Sequence, residues 1–208
     1  MDPQRRRAEI MTAAVTIFAA KGYHSSSVSD IIQAAGIARG TFYLYFKDGK
    51  KQIFAALLDD MIASINRAVN HVEIGSPEPI ESQLRGNVER VIDLLLQNPD
   101  LTRIVIRGSM GLDSAFDEKM NEFYTQVTNK IERSLKAGIN LGLIRPCDTR
   151  LSAYAVLGTF KEVLSSAALS HSQPDRNGVI ETLWRFNLPA LLRPDLIALT
   201  GEPAFPQG

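Results

Sequence analysis

Residues Arg39-Gly40-Thr41-Phe42-Tyr43-Leu44-Tyr45 place a guanidinium, a hydroxyl and two phenols within about two helical turns. Lys47, Lys50 and Lys51 follow directly. These groups donate hydrogen bonds and carry positive charge, and they lack the paired base that activates a nucleophile. The chemistry they suit is recognition of a polyanion with readable edges. An arginine can hold guanine bidentately, and lysines, hydroxyls and backbone N–H groups suit phosphate oxygens. Arg39, Thr41, Tyr43 and Leu44 are therefore expected at base or groove edges, and Ser27, Tyr45, Lys47 and Lys51 at phosphates. Gly40 lets the backbone come close to a phosphate, where free N–H groups favour an anion.

Other chemistries are thinly represented. Cys147 is the only cysteine, so neither an internal disulfide nor a cysteine metal cluster can form. His24, His71 and His171 lack metal-ligand spacing with each other or with carboxylates. The chain has no nucleophile elbow, glycine-rich phosphate loop or paired-carboxylate motif. No catalytic residue, metal or cofactor is expected.

The elements that must position the polar run are legible around it. Ser27 and Asp30 make a capping-box-like start, with Asp where Glu or Gln is usual. Val28, Ile31, Ile32 and Ala35 recur at helical spacing, and Gly36 stands where a left-handed stop is needed. Ile37 then returns to the core, and Phe42 and Phe46, four apart, anchor the inner side of a second short helix. That pattern is a helix-turn-helix, with a recognition helix over about 38–46. A preceding helix from Pro3 or Gln4 to about Ala20 braces the pair through Ile10, Ala14, Ile17 and Phe18, and Gly22 ends it. Arg5, Arg6 and Arg7 in its first turns either reach a DNA backbone or solvate the helix end.

With Lys21-Gly22-Tyr23, Ala35-Gly36, Arg39-Gly40-Thr41-Phe42-Tyr43 and Tyr45-Phe46 standing in order, the first quarter of the chain resembles the TetR (tetracycline repressor) family of bacterial transcriptional regulators. The resemblance implies a homodimer on double-stranded DNA, with a divergent C-terminal domain that binds a small-molecule effector. The operator would then read as an inverted repeat. Two departures stand out. Ala38 cannot cap the recognition helix with a side chain. The turn Lys47-Asp48-Gly49-Lys50-Lys51 is one residue longer than the family's usual version, which leaves open whether Lys50 or Lys51 reaches phosphate.

The rest of the chain reads as helices, about nine in all, so the fold class is all-α. A fourth helix over about 48–72 connects the helix-turn-helix domain, residues 1–50, to a larger domain over 51–200. Breaks at Gly75-Ser76-Pro77, Asn98-Pro99, Gly108 to Gly111, Gly142 to Pro146 and Gln173-Pro174 separate five more helices. Asp148 should cap the eighth. Pro189 should kink or end the ninth, and residues 201–208 are expected to be a disordered tail.

The eighth helix is apolar on most sides, so it must be buried on most sides. A partner subunit would supply the second surface, with Ala153, Leu157, Leu164, Ala168, Leu183 and Trp184 at a dimer interface. Arg107, Met110, Phe123, Tyr124 and Phe160 combine apolar walls with a few polar atoms and are candidates for an effector pocket. The formal net charge is +0, but residues 1–51 hold eight basic and four acidic side chains, a surplus at the DNA-binding end. No apolar run approaches the roughly 20 residues a bilayer requires, and no secretory signal follows the N-terminal arginines. A cytoplasmic protein is expected, either an effector-controlled repressor or a DNA-binding activator or architectural protein without an effector.

Overall fold

The computed structural model describes residues 2–107, 113–169 and 175–193, except for the side chains of 107 and 167–169. The described residues form nine helices and one isolated antiparallel bridge between Ile144 and Leu192. They divide into two compact units. One lies within Met1–Ser64 and Gln97–Tyr124, the other within Ile65–Leu96 and Thr125–Gly208. The expected tail over 201–208 and the break around Gly108 to Gly111 lie outside the described residues.

In the first unit, α1 (Pro3–Lys21) opens with Pro3 at its first turn, and the Asp2 carboxylate accepts from Gln4 N at 3.0 Å. It buries Ile10, Met11, Ala14 and Phe18. The second helix, α2 (Val28–Ala35), starts on a complete capping box. Asp30 N donates to Ser27 Oγ at 3.1 Å, and Ser27 N donates back to Asp30 Oδ2 at 2.8 Å. Gly36 ends it at φ 62°, which costs a residue without Cβ almost nothing. The recognition helix, α3 (Arg39–Tyr45), has no side-chain cap at Ala38, as expected. Phe42 and Phe46 are fully buried beneath it.

The next helix, α4 (Lys50–Ala68), is shorter at both ends than the expected 48–72. At its start Gly49 adopts φ 65° and is buried, and a Cβ there would stand 3.3 Å from Val28 Cγ2. The extra turn residue thus delays the helix. At its end, α5 (Ile80–Gln97) supplies side chains that replace main-chain partners. Asn87 Oδ1 accepts from Asn70 N at 2.7 Å, Asn87 Nδ2 donates to Asn70 O at 2.9 Å, and Arg90 Nε donates to Ala68 O at 2.8 Å. Once those groups are satisfied from outside, a further helical turn gains nothing.

The helix α6 (Pro99–Arg107) packs on α1 within the first unit. There Tyr124 of α7 (Ser114–Asn140) donates its phenol to Val105 O at 2.8 Å. Asp148 caps α8 (Thr149–Leu169) by accepting from Arg150 N and Leu151 N, both at 3.0 Å. Pro189 neither ends α9 (Arg176–Leu191) nor stands far from its end, so the missing N–H removes little of the ladder. In the second unit α8 packs on α9, and Thr159 Oγ1 meets Asn187 Oδ1 at 3.1 Å between them. Ion pairs join α5 to α9: Arg85 to Glu181 at 2.9 Å, and Arg176 bidentately to Asp93.

The α2 cap allows a direct check. The Lys21 ammonium and the Ser27 hydroxyl and amide hold the Asp30 carboxyl down to about 2, below its ordinary 3.8. A depressed carboxyl stabilises the fold fully above its unfolded value and loses that contribution as pH falls from about 4 towards 2. Asp30→Asn should therefore lower the thermal midpoint at neutral pH, and the gap to the parent should close across that acid range. Ser27→Ala should cost about 0.5–2 kcal/mol in denaturant unfolding. A gap for Asp30→Asn that stays constant with pH would show that the cap carries no such linkage.

Candidate nucleic-acid interface

The polar run lies on the outer side of α3 because its two phenylalanines are turned in. Arg39, Gly40, Tyr43 and Leu44 are exposed, Leu44 at 78%, while Thr41 and Tyr45 are half-buried. The Arg39 guanidinium lies 5.7 Å from the Tyr43 ring centroid, so the phenol supports the cation from one face. Lys47 and Lys51 are exposed beyond the helix. A Cβ at Gly40 would meet nothing within 4 Å, so its backbone is open to close approach.

Ser27 is exposed, but its hydroxyl is already engaged. It donates to Asp30 Oδ2 at 2.8 Å while accepting from Asp30 N. It can donate to a phosphate only by giving up that bond. The two adjacent lysines differ in setting: the Lys50 ammonium is taken up internally, by Tyr23 O, His24 O and Ser26 O, whereas Lys51 stays exposed. Sequence patterning missed Lys50's role because nothing in the local spacing distinguishes it from Lys51. The N-terminal arginines mostly pair along their own helix. Arg5 and Arg6 meet Glu9 at 3.3 and 2.8 Å, and Arg7 lies 5.4 Å over the Phe46 ring.

The effector candidates fare differently. Phe123 is buried and Tyr124 is committed to Val105 O, with burial pushing its phenol up to about 12. Both belong to the first unit, whereas half-buried Phe160 belongs to the second. Met110 and the Arg107 side chain lie outside the described residues. A separate open groove of about 570 Å³, lined by Arg85, Glu89, Asn177, Gly178, Ile180 and Glu181, contains none of the five candidates. Among the described residues no cluster of His, Cys, Asp or Glu could hold a metal, and no helix is long and apolar enough to cross a membrane.

The residues expected at a dimer interface differ in exposure within the chain. Ala153, Leu164, Leu183 and Trp184 are buried within the chain itself, on two helices that pack on each other. Leu157 is half-buried, and the Ala168 side chain lies outside the described residues. The outward stripe of α8 is instead Leu151, Tyr154, Ala155 and Gly158, and Phe186 stands 69% exposed on α9.

Residues 10–57 match the family model described as bacterial regulatory proteins, tetR family. Residues 76–191 match a tetracyclin repressor-like C-terminal domain. The fatty acid metabolism regulator protein of Bacillus subtilis (strain 168) is 29% identical over 183 residues, covering 84% of this chain and 92% of its own. Among solved structures, FadR of Bacillus subtilis in complex with stearoyl-CoA is 26% identical with TM-score 0.74, covering 87% of this chain and 97% of that one. The fatty acid degradation regulator FadR of Bacillus halodurans is 25% identical, also with TM-score 0.74, covering 90% and 96%. The chain belongs to the TetR family: it is a transcription regulator with an N-terminal helix-turn-helix DNA-binding domain and a helical C-terminal domain.

Lys51→Ala should weaken binding to all duplexes alike and reduce the slope of log affinity against log salt by about one. Arg39→Ala should relax sequence preference instead, at about 1–3 kcal/mol for a bidentate guanine contact. Competition assays on a panel of single-base operator variants, repeated across a salt series, separate the two. If Arg39→Ala lost affinity uniformly, Arg39 would be a backbone contact.

Proposed function

We propose that this protein is an effector-controlled repressor that occupies an inverted-repeat operator as a homodimer and is released by a long-chain fatty acyl-CoA. The observation that carries the reading is the similarity to fatty acid regulators along nearly the full length of both chains, at 25–29% identity. One of those relatives was solved with stearoyl-CoA. Arg39, Gly40, Thr41, Tyr43 and Leu44 serve as the operator-facing set, with Tyr45, Lys47 and Lys51 on flanking phosphates. The effector acts by binding the DNA-incompetent state more tightly. A preference of about 1–3 kcal/mol gives roughly 5- to 150-fold coupling.

A duplex enriched from random oligonucleotides by the purified protein supplies the test. Stearoyl-CoA should release it, while free stearate and coenzyme A alone should not. Release by none of the three, with binding intact, would remove acyl-CoA as the effector. A regulator without an effector would show the same insensitivity to every metabolite tried.

The two-fold interface is assigned to the outward stripe Leu151, Tyr154, Ala155, Gly158 and Phe186. Single exposed apolar residues are ordinary on a surface, but a stripe across two packed helices favours a partner. A second copy brings an identical stripe. Gly158 leaves room for a close helix approach, since a Cβ there would meet nothing within 4 Å. Phe186→Glu combined with Tyr154→Glu should sediment as a monomer. It should also lose the roughly 10²–10⁴-fold gain of two linked half-site contacts. A dimer that survived both changes would place the interface elsewhere.

A further inference from the structure

Lys50 is the first residue of α4, directly after Gly49 turns the chain at φ 65°. Its Nζ donates to Tyr23 O at 2.8 Å, His24 O at 3.2 Å and Ser26 O at 2.9 Å. An ammonium has three N–H donors, so these three carbonyls use all of them. The same nitrogen stands 4.5 Å from the Tyr23 ring centroid, which adds a fourth, π-face contact. Burial lowers the pKa of this amine, and the Asp113 carboxylate, which also faces Lys51, works in the opposite direction.

The loop so held is the whole connection between α1 and α2. Ser26 is buried in it and donates Oγ to Gly22 O at 2.6 Å. The Tyr23 ring is packed against Phe18, Phe54 and Phe116 at centroid distances of 5.3, 4.9 and 4.8 Å. Immediately after the loop comes Ser27, the cap of α2, and α2 carries α3 through the Gly36 turn. Val28, the first residue of α2, lies against Gly49. The lysine, the loop and the turn before α4 therefore meet at one point.

We infer that Lys50 is a positioning residue for DNA recognition: its ammonium, gripped by the α1–α2 loop carbonyls, locks the α2–α3 pair onto α4 and leaves phosphate contact to Lys51. The inference rests on the DNA-binding reading above and goes beyond it by assigning the two adjacent lysines opposite tasks. Without Lys50, three carbonyls lose their charged donor at once, and α3 loses its fixed setting against α4. A lysine that touches phosphate releases a counterion on binding, and one already satisfied inside the protein does not.

The test uses the full chain and a duplex enriched by the parent protein, with all measurements made well below each variant's unfolding midpoint. Lys50→Met keeps an apolar stem, and Lys50→Arg keeps the charge but replaces three convergent donors with a planar fork. Both should bind roughly tenfold or more weakly at every salt concentration, with the parent's salt slope unchanged. Lys51→Ala should instead reduce the slope by about one. A Lys50→Met slope reduced by about one would make Lys50 a phosphate contact and overturn the inference, as would Lys50→Arg binding like the parent. Should Lys50→Met fail to fold, Lys50→Arg decides alone. If the parent itself binds no duplex at low salt, the DNA-binding reading fails. If the parent binds and the Lys50 variants bind equally well, only the role of Lys50 fails.

Discussion

A seven-residue helix cannot hold itself together in water, and α3 is seven residues long. Isolated helices shorter than about 12–15 residues are marginal even with favourable sequences. What keeps α3 helical, and keeps one side of it outward, is the complete burial of Phe42 and Phe46. Truncating a buried phenylalanine typically costs about 3–5 kcal/mol, more than the propensities of a two-turn helix can supply. The exposed set of Arg39, Tyr43 and Leu44 is thus a consequence of an apolar pair. Change the pair and the polar face has no fixed direction.

The parts legible from sequence are those decided within a few residues. The capping box of Ser27 and Asp30, the left-handed Gly36 and the i, i+4 phenylalanines each carry their own local reason, and each stands where that reason puts it. The end of α4 was illegible because it is settled by Asn87 and Arg90, about 20 positions away in the chain. The inward face of α8 was illegible for a different reason. A helix apolar on most sides gives little phase to read, and only the folded chain shows that Ala153 and Leu164 turn in while Leu151 and Tyr154 turn out. Lys50 and Lys51 share a residue type and adjacent positions. Gly49 and the loop carbonyls separate them, and that separation exists only in three dimensions.

Charge follows the same division between local and assembled effects. Most ion pairs here are exposed or half-exposed, where a single pair is worth little. Those on α1 and within α7 join neighbours three or four apart, such as Arg6 with Glu9 and Lys119 with Glu122. The Arg85–Glu181 and Arg176–Asp93 contacts differ, because they tie α5 to α9 across more than 80 residues of chain. The surplus of positive charge stays at the N-terminal end, on exposed groups such as Lys47 and Lys51.

The match to the C-terminal family model begins at residue 76, yet residues within Gln97–Tyr124 share a compact unit with the helix-turn-helix. Phe116, near the start of α7, stacks on Phe54 of α4 at 4.6 Å and 18° and also touches Tyr23 and His24. Asp113, which caps that end of α7, accepts from Ala115 N at 2.9 Å and faces Lys51 electrostatically. Part of the segment matched by the C-terminal family model is therefore built into the core of the unit that holds the helix-turn-helix. A ligand alters affinity for DNA only through contacts that differ between two states. In a close-packed interior such differences come as discrete repacking, since there is little free volume to absorb a gradual shift. The Tyr23–Phe54–Phe116 stack is where repacking at the start of α7 would be felt by the α1–α2 loop, one residue before the cap that starts α2.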